Sequence, residues 1–478
     1  MPSALAALVA SAVLWFFSTG AHHHWLLAWF MYAPVLAVAY DTGARQAAAA
    51  AFATAILGSL TWVQLDHGLL PAATLGVFVF AQAIVFTAVV MGARFIWRRQ
   101  PLLVGLFGFP VLLTGAEYLT TLLSPHGTFG SIAYSQADLV TVVQLVSVTG
   151  LGGVTFLLGL TGSGMAAAWL RRGESRECAM ALAVPAAVVA VVAAFGTLRL
   201  SAPADGPGIR VGLAAADGST GVSDTTGADE AVAAAHAWAA RVAQLGTDGA
   251  AMVVLPEKLV GVTPDDRAAV IQVFARAAVQ AHVWLVAGVN EIGITPKRNV
   301  ALVFAPDGQL AVTYLKQHLL APFESGYQPG HSVAVWRTGE GQQAGVAICT
   351  DMDFPALSRA YAAHRAGLML VPAWDFGRDG WLHARMAVVR GVEAGFSVVR
   401  AAQDGRLTIS DPYGRVRAER RSAAAASVLL AGGVQAGHIT TIYDRIGDWF
   451  AWSCLLVAAG MFLAAVQERR AGDASAIV

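Results

Sequence analysis

Seven apolar stretches crowd the first 200 residues, near 4–19, 24–40, 46–64, 75–96, 102–123, 138–169 and 178–198. Most reach the roughly 17–25 residues needed to cross a bilayer hydrocarbon core. In lipid a backbone must satisfy its own N–H and C=O groups, so such stretches are restricted to helices. The sixth is over-long and interrupted by Gly150, Gly152 and Gly153, which predicts a kink or a partly interfacial segment. An eighth stretch, Phe450–Val466, closes the chain. With 13% charged residues and a mean hydropathy of +0.58, the chain is too apolar for an ordinary soluble protein. A polytopic α-helical membrane domain carrying a polar domain is the class that remains.

Charge placement in the connections predicts orientation. Arg45, then Arg94, Arg98 and Arg99, then Arg171, Arg172 and Arg176 mark every second connection, whereas those around 20–23, 65–74 and 124–137 contain no Lys or Arg. The positive-inside rule places the N-terminus in the cytoplasm. Seven crossings then deliver residue 201 to the outer side, and Arg469 and Arg470 beyond the eighth stretch return the C-terminus to the cytoplasm. The first stretch lacks a basic flank and is followed by more spans, so it is expected to be an anchor and not a cleaved signal. Lys+Arg and Asp+Glu balance at 31 each, so no global charge recruits nucleic acid.

The expected division is a membrane domain over 1–200, a catalytic domain over 201–447, and a closing helix with a cytoplasmic tail over 448–478. Ser201 to Gly208 is a Pro/Gly linker. Beyond it, strand and helix signals alternate: strands near Ile209–Ala214, Ala251–Leu255, Val283–Val289, Asn299–Phe304, Leu310–Lys316, Ala344–Cys349, Leu368–Pro372 and Ser397–Ala402, with helices at Ala228–Leu245, Asp265–His282 and Leu382–Ala394. Such alternation, with a hairpin signal at Pro306-Asp-Gly308, predicts an α/β domain of sheets covered by helices.

Three cysteines are present, and only Cys349 lies in the polar domain, which excludes a disulfide there. The run Gly345-Val-Ala-Ile-Cys-Thr-Asp-Met-Asp-Phe-Pro355 delivers Cys349 from an apolar strand to a sharp exit before a helix. A thiol at such an elbow is exposed beside backbone N–H groups able to hold an oxyanion. Two other strand ends carry charge: Glu257 in Val253-Val-Leu-Pro-Glu-Lys258, and Lys316 in Tyr314-Leu-Lys-Gln-His-Leu319. Glu257 is a candidate base for the thiol. Lys316 is a candidate oxyanion donor, supported by the Thr350 backbone N–H. Glu324, in the loop after Lys316, either orients the lysine, assists proton transfer, or is a plain loop acid. Asp351 is expected to cap the helix start. Arg390 and Glu393, three apart, are expected to pair as scaffold. Trp374, Phe376 and Trp381 lie in a Gly-punctuated loop, either as a membrane-facing substrate lid or packed inward. No Cys/His spacing suggests a metal, the His22-His23-His24 triplet being expected at a span boundary, and no cofactor is implied.

Glu257, Lys316 and Cys349, in that order and each at a strand end, resemble the catalytic triad of the nitrilase, or carbon-nitrogen hydrolase, superfamily. Placed between seven leading spans and one closing span, the domain resembles the apolipoprotein N-acyltransferases of bacterial envelopes. His383-Ala-Arg-Met386, Arg390-Gly-Val-Glu393, Val399-Arg-Ala401, Asp411-Pro-Tyr-Gly414 and Tyr443-Asp-Arg-Ile-Gly-Asp-Trp449 add to that likeness. The resemblance implies an αββα sandwich on the periplasmic side of the inner membrane and ping-pong acyl transfer. A phospholipid would be the donor, Cys349 the thioester carrier, and the N-terminal amine of a diacylated apolipoprotein the acceptor. The chain departs from the family in three places: Cys349-Thr350-Asp351 where Cys-Tyr-Glu is usual, Glu324-Ser-Gly-Tyr327 after the lysine, and Lys258 where Thr or Ser usually follows the base. Two other functions fit parts of the pattern: a membrane-tethered amidase or nitrilase hydrolysing small C–N bonds, and a non-enzymatic lipoprotein-binding module.

Overall fold

A computed structural model of the chain describes residues 4–203, 206–216, 228–339, 342–422 and 427–475. The contacts divide the chain into two compact units. The first comprises residues up to 124, 130–199 and 446 onward; the second comprises 125–129 and 200–445.

The first unit is helical: α1 (Ala4–Ser18), α2 (Trp25–Ala28), α3 (Ala33–Asp41), α4 (Ala44–Asp66), α5 (Ala72–Trp97), α6 (Leu102–Leu123), α7 (Val140–Val143), α8 (Val146–Thr149), α9 (Leu151–Leu170) and α10 (Ser175–Ser201). Among the described residues, six helices are long and apolar enough to cross a membrane: α4, α5, α6, α9, α10 and a closing helix over Trp449–Glu468. The first two apolar stretches are shorter elements. At 1.5 Å per residue, the 15 residues of α1 rise only about 22 Å, and the second stretch is split between α2 and α3. The over-long sixth stretch breaks as its glycines imply: Gly150 takes φ +63° and separates α8 from α9. Small residues let α9 pack closely. A Cβ at Gly159 would lie 3.0 Å from the Pro110 backbone of α6, and one at Gly162 would lie 2.7 Å from Tyr32.

Among the described residues, the second unit holds thirteen strands in two sheets, with four helices and a closing turn of helix. In chain order these are β1 (Gly208–Ala215), α11 (Ala228–Thr247), β2 (Met252–Val254), β3 (Val260–Val262), α12 (Arg267–Ala281), β4 (Trp284–Glu291), β5 (Arg298–Phe304), β6 (Leu310–Leu315), β7 (Val335–Arg337), β8 (Gln343–Val346), α13 (Pro355–Ala363), β9 (Leu368–Trp374), α14 (Gly380–Ala394), β10 (Ser397–Gln403), β11 (Arg406–Ser410), β12 (Val416–Arg421), β13 (Val428–Gln435) and α15 (Ile442–Ile446). One sheet has the order β13-β1-β2-β4-β5-β6 with β3 beside β4, and the other the order β12-β11-β10-β9-β8-β7.

Strand periodicity explains the layering. In β4, Leu285, Ala287 and Val289 point to the core shared with α11 and α12, where Trp238 and Phe274 are buried. Val286 points the other way, joining Val211, Leu213, Met252, Val346, Ile348, Leu370, Val399 and Ile409 between the sheets. The second sheet buries its outer face against α13 and α14 through Met369, Val371, Val398, Tyr361 and Ala387. The result is the expected αββα sandwich. Strands covered on both faces read as near-continuous apolar runs, which is why they were legible. β3, β12 and β13 were not. β3 is three residues long, β12 is a charged edge strand, and β13 returns from the far end of the domain to pair antiparallel with β1, Val211 opposite Gly432.

Residues 125–129 lie between apolar stretches in sequence yet group with the second unit. The Thr128 backbone N–H and hydroxyl both donate to the Asp353 carbonyl, at 3.0 and 2.8 Å. Gly127 sits at φ +54°, and a Cβ there would meet that same carbonyl oxygen at 2.6 Å.

Candidate active site

The site is built at strand ends. Glu257 follows β2, Lys316 follows β6 and Cys349 follows β8 by three residues; the three side chains are almost fully buried. Cys349 occupies the left-handed region at φ +48°, a strained conformation for a residue with a Cβ. It opens a short 3₁₀ turn, Cys349–Asp353, ahead of α13. The elbow expected from the sequence is therefore a real backbone feature. The thiol donates to the Trp374 carbonyl at 3.4 Å, while the Glu257 backbone N–H donates to the neighbouring Ala373 carbonyl at 3.3 Å. Cys349 and Glu257 are thus registered on consecutive carbonyls of β9.

Lys316 Nζ lies 2.9 Å from both Glu257 Oε1 and Glu324 Oε2. Asn299 Nδ2 bridges the same carboxylates, donating to Glu257 Oε1 at 2.6 Å and Glu324 Oε1 at 2.8 Å. Lys258 adds a second cation, 2.5 Å from Glu324 Oε1. The Leu320 N–H completes the shell around Glu324, donating to Oε2 at 2.8 Å. Glu324 is therefore an integral part of the charge cluster and not a plain loop acid.

These contacts set the protonation states. Burial alone would release the Lys316 proton, but Glu257 and Glu324 outweigh it and hold the ammonium well above its ordinary range. Burial likewise opposes the Glu324 carboxylate, yet Lys316 and Lys258 bring it down to about 2. Burial pushes the Cys349 thiol well up, and Glu257 adds to that, with Lys316 and Arg400 pulling the other way. At rest the site holds a charged Lys316, an ionised Glu324 and a neutral Cys349 thiol.

The elbow is braced from both sides. Asp351, fully buried, accepts the Gln317 and His318 backbone N–H groups on Oδ1 at 3.1 and 2.8 Å. On Oδ2 it accepts the Tyr314 hydroxyl at 2.8 Å and the Ile348 N–H at 3.0 Å. It thus does more than cap a helix: it fastens the elbow to the strand end carrying Lys316. Thr350 adds a second fastening, its hydroxyl donating to the His318 carbonyl at 2.7 Å. On the other side Arg400 grips Asp375 through both guanidinium nitrogens, at 2.8 and 2.5 Å. Further out, His383 lies 3.3 Å from Asp379 and 3.8 Å from Asp353, its ring stacked on Phe129.

The three aromatics are held in different surroundings. Trp374 ends β9 and supplies the carbonyl that receives the thiol, Trp381 lies in α14 under Arg385, and Phe376 faces the exposed Phe323 at 5.2 Å between ring centroids. The expected Arg390–Glu393 pair forms at 2.6 Å inside α14. Among the described residues, no cluster of His, Cys, Asp or Glu suits a metal ion. Sequence reasoning missed Asn299, Lys258 as a partner of Glu324, and the linking role of Asp351. A polar Asn at the head of the apolar β5 was the available signal.

Two family profiles match the chain: the apolipoprotein N-acyltransferase N-terminal domain over residues 11–164 and carbon-nitrogen hydrolase over 213–433. The apolipoprotein N-acyltransferase of Geobacter metallireducens is 28% identical over 488 aligned positions, covering 93% of this chain and 91% of that protein. That of Rhodopseudomonas palustris is 25% identical, covering 85% and 81%. An (R)-stereoselective amidase from a Pseudomonas species is 30% identical over a stretch covering 35% of this chain and 62% of that protein. Among solved structures, an amidase from Nesterenkonia is 19% identical, with 50% of this chain and 96% of that chain covered and a TM-score of 0.42. Matched by both family profiles and along most of its length by these two relatives, the chain belongs to the apolipoprotein N-acyltransferase branch of the carbon-nitrogen hydrolase superfamily.

Proposed function

We propose that the protein transfers an acyl chain from a membrane phospholipid, through a Cys349 thioester, to the N-terminal amine of a diacylglyceryl-cysteine lipoprotein. The observation that carries this reading is the buried Glu257–Lys316 pair acting on a strained, water-poor Cys349. Glu257 takes the thiol proton as Sγ attacks the ester carbonyl carbon. The oxyanion forms against Lys316 and the Thr350 backbone N–H. The C–O bond to glycerol breaks, and Glu257 returns the proton to the departing lysophospholipid. The acceptor amine then attacks the thioester, an amide forms as the C–S bond breaks, and Glu257 receives the amine's proton.

Burial favours transfer over hydrolysis. Cys349 is only 6% exposed and sits at the edge of the core between the sheets, which keeps water from the thioester. In this reading the catalytic domain lies on the periplasmic side of a bacterial inner membrane, where both lipid-anchored substrates meet in two dimensions. Labelling of introduced cysteines from outside the cell tests that placement; a catalytic domain reached only from the cytoplasm removes the lipoprotein assignment.

The decisive experiment incubates the purified protein with phospholipid alone. One hydroxylamine-sensitive acyl group should accumulate on Cys349 and discharge onto an added diacylated lipopeptide. Full lipopeptide acylation by Cys349→Ala would overturn the mechanism. Rapid release of free fatty acid without transfer would point to the hydrolase reading instead.

A further inference from the structure

Lys258 belongs to the site, and the chemistry above gives it no task. It follows the base directly in sequence, and its backbone takes the left-handed conformation at φ +50°, unusual for a side chain of its size. Its side chain is 14% exposed. Its Nζ is placed by two contacts, 2.5 Å from Glu324 Oε1 and 4.7 Å above the Tyr327 ring, whose hydroxyl in turn donates to Asn290 Oδ1 at 3.0 Å. A long, flexible lysine held this closely has lost the entropy it would keep on the surface.

Charge counting gives the hold a purpose. Glu257 and Glu324 are two buried carboxylates, and Lys316 touches both. With Lys316 alone, that trio carries an excess negative charge beside the thiol that must ionise. Lys258 brings the sum to zero, and the Arg400–Asp375 pair that also faces the thiol carries no net charge. Lys258 also occupies Glu324 Oε1, which Asn299 shares, so the Glu324 oxygens are taken up by Lys258, Asn299, Lys316 and the Leu320 N–H. Glu324 is then a fixed anchor for Lys316, and Glu257 is left as the proton acceptor.

We propose that Lys258 is a positioning residue of the acyl-transfer site, anchoring Glu324 and balancing the two buried carboxylates so that Cys349 can give up its proton to Glu257. The proposal rests on the reading of Cys349 as the nucleophile, and its test needs neither acyl donor nor acceptor. Full-length protein in detergent is treated with iodoacetamide across a pH series. Alkylation of Cys349 is followed by mass spectrometry of its peptide, so Cys178 and Cys454 do not interfere.

Lys258→Met should raise the pH of half-maximal alkylation by about one unit and slow the reaction at neutral pH about tenfold, as removal of a nearby opposite charge does. Lys258→Arg, which keeps the charge, should retain the wild-type profile. The double variant Lys258→Met/Glu324→Gln again sums to zero and should bring the midpoint back toward the wild-type value. A Lys258→Met protein with a lowered melting temperature but an unchanged alkylation profile would show that the residue only packs, and would overturn the proposal. So would a double variant shifted as far as the single one. A wild-type Cys349 inert to the reagent at every pH would overturn the nucleophile reading itself, and this proposal with it.

Discussion

The Asp351 carboxylate accepts the His318 backbone N–H at 2.8 Å, and that bond ties the Cys349 elbow to the strand end that carries Lys316. The same side chain collects the Gln317 and Ile348 N–H groups and the Tyr314 hydroxyl, so a single carboxylate joins the Cys349 elbow to the end of β6. Cys349 and Lys316, the proposed nucleophile and oxyanion donor, are therefore held in register by a residue that need not touch substrate.

Asp351→Ala is accordingly expected to cost about 3–5 kcal/mol, because several buried donors lose their acceptor at about 1–3 kcal/mol each and the losses are not fully additive. Asp351→Asn, which keeps one acceptor oxygen, should unfold less readily than Asp351→Ala yet lose acyl-transfer rate, since a misplacement of about 1 Å costs roughly a hundredfold. Denaturant melts and single-turnover acylation separate the two effects. Wild-type stability in Asp351→Ala would show that the cross-link is dispensable.

Lys316 is expected to be irreplaceable even by arginine. Its Nζ is a compact charge 2.9 Å from each of two carboxylates, and a planar guanidinium cannot occupy that point. Lys316→Ala and Lys316→Arg should each lower the rate of thioester formation by at least about 10²–10³, the loss typical of one missing oxyanion donor. Lys316→Ala also leaves the buried Glu257 carboxylate without its cation, so its fold is checked by melting in the same preparation. Thioester formation at the wild-type rate in a folded Lys316→Ala protein would remove the lysine from the mechanism.

The sequence revealed the elements that obey local rules and hid those that depend on chain crossings. An apolar run ending in a charged or nucleophilic residue marks a strand end, which is why Glu257, Lys316 and Cys349 stood out together. The helices over α11 and α12 follow from periodicity in the same way. Asp351 joins residues more than thirty positions apart, and β13 pairs with β1 across most of the domain; no local pattern encodes either contact. The 125–129 segment is the clearest case. It sits between apolar stretches, so its neighbours assign it to the membrane unit, whereas Gly127 and Thr128 pack it onto Asp353. Arg400 was legible in retrospect: a guanidinium within the apolar β10 requires a buried partner, which Asp375 supplies.

His383 gives the second unit a pH dependence of definite sign. Burial opposes its charge, but Asp379 and Asp353 outweigh that and raise its pKa well above the usual histidine value. His126, from the 125–129 segment, is pushed down by its own burial and by the His383 charge, against the pull of Asp353. A folded-state pKa above the unfolded value of about 6.5 contributes stability that is fully present below that value. The contribution is lost as pH rises through the folded value. Wild-type protein should therefore lose stability on the alkaline side of pH 6.5, and His383→Gln should lack that slope while being less stable at pH 6. Thermal melts across pH 6–9 measure it; parallel curves for the two proteins would show that His383 is not charged in the fold.

The aromatic residues around the site divide by where their rings are held. Phe376 stands against Phe323, which is 46% exposed, so this pair presents apolar surface beside the Glu324 loop. We expect these two rings to receive the acyl chain. Phe376→Ala and Phe323→Ala should each raise the apparent KM for phospholipid severalfold with little change in melting temperature, since truncating a ring that is not enclosed leaves no cavity. Trp374 closes β9 and adjoins the thiol's acceptor carbonyl, and Trp381 packs under Arg385 in α14. Replacing either by alanine should lower the melting temperature, at a cost below the roughly 3–5 kcal/mol of a lost core tryptophan because both side chains are half-buried. Phospholipid-dependence curves and melts on the same preparations distinguish the two classes. An unchanged KM in Phe323→Ala/Phe376→Ala would move acyl-chain recognition away from this pair.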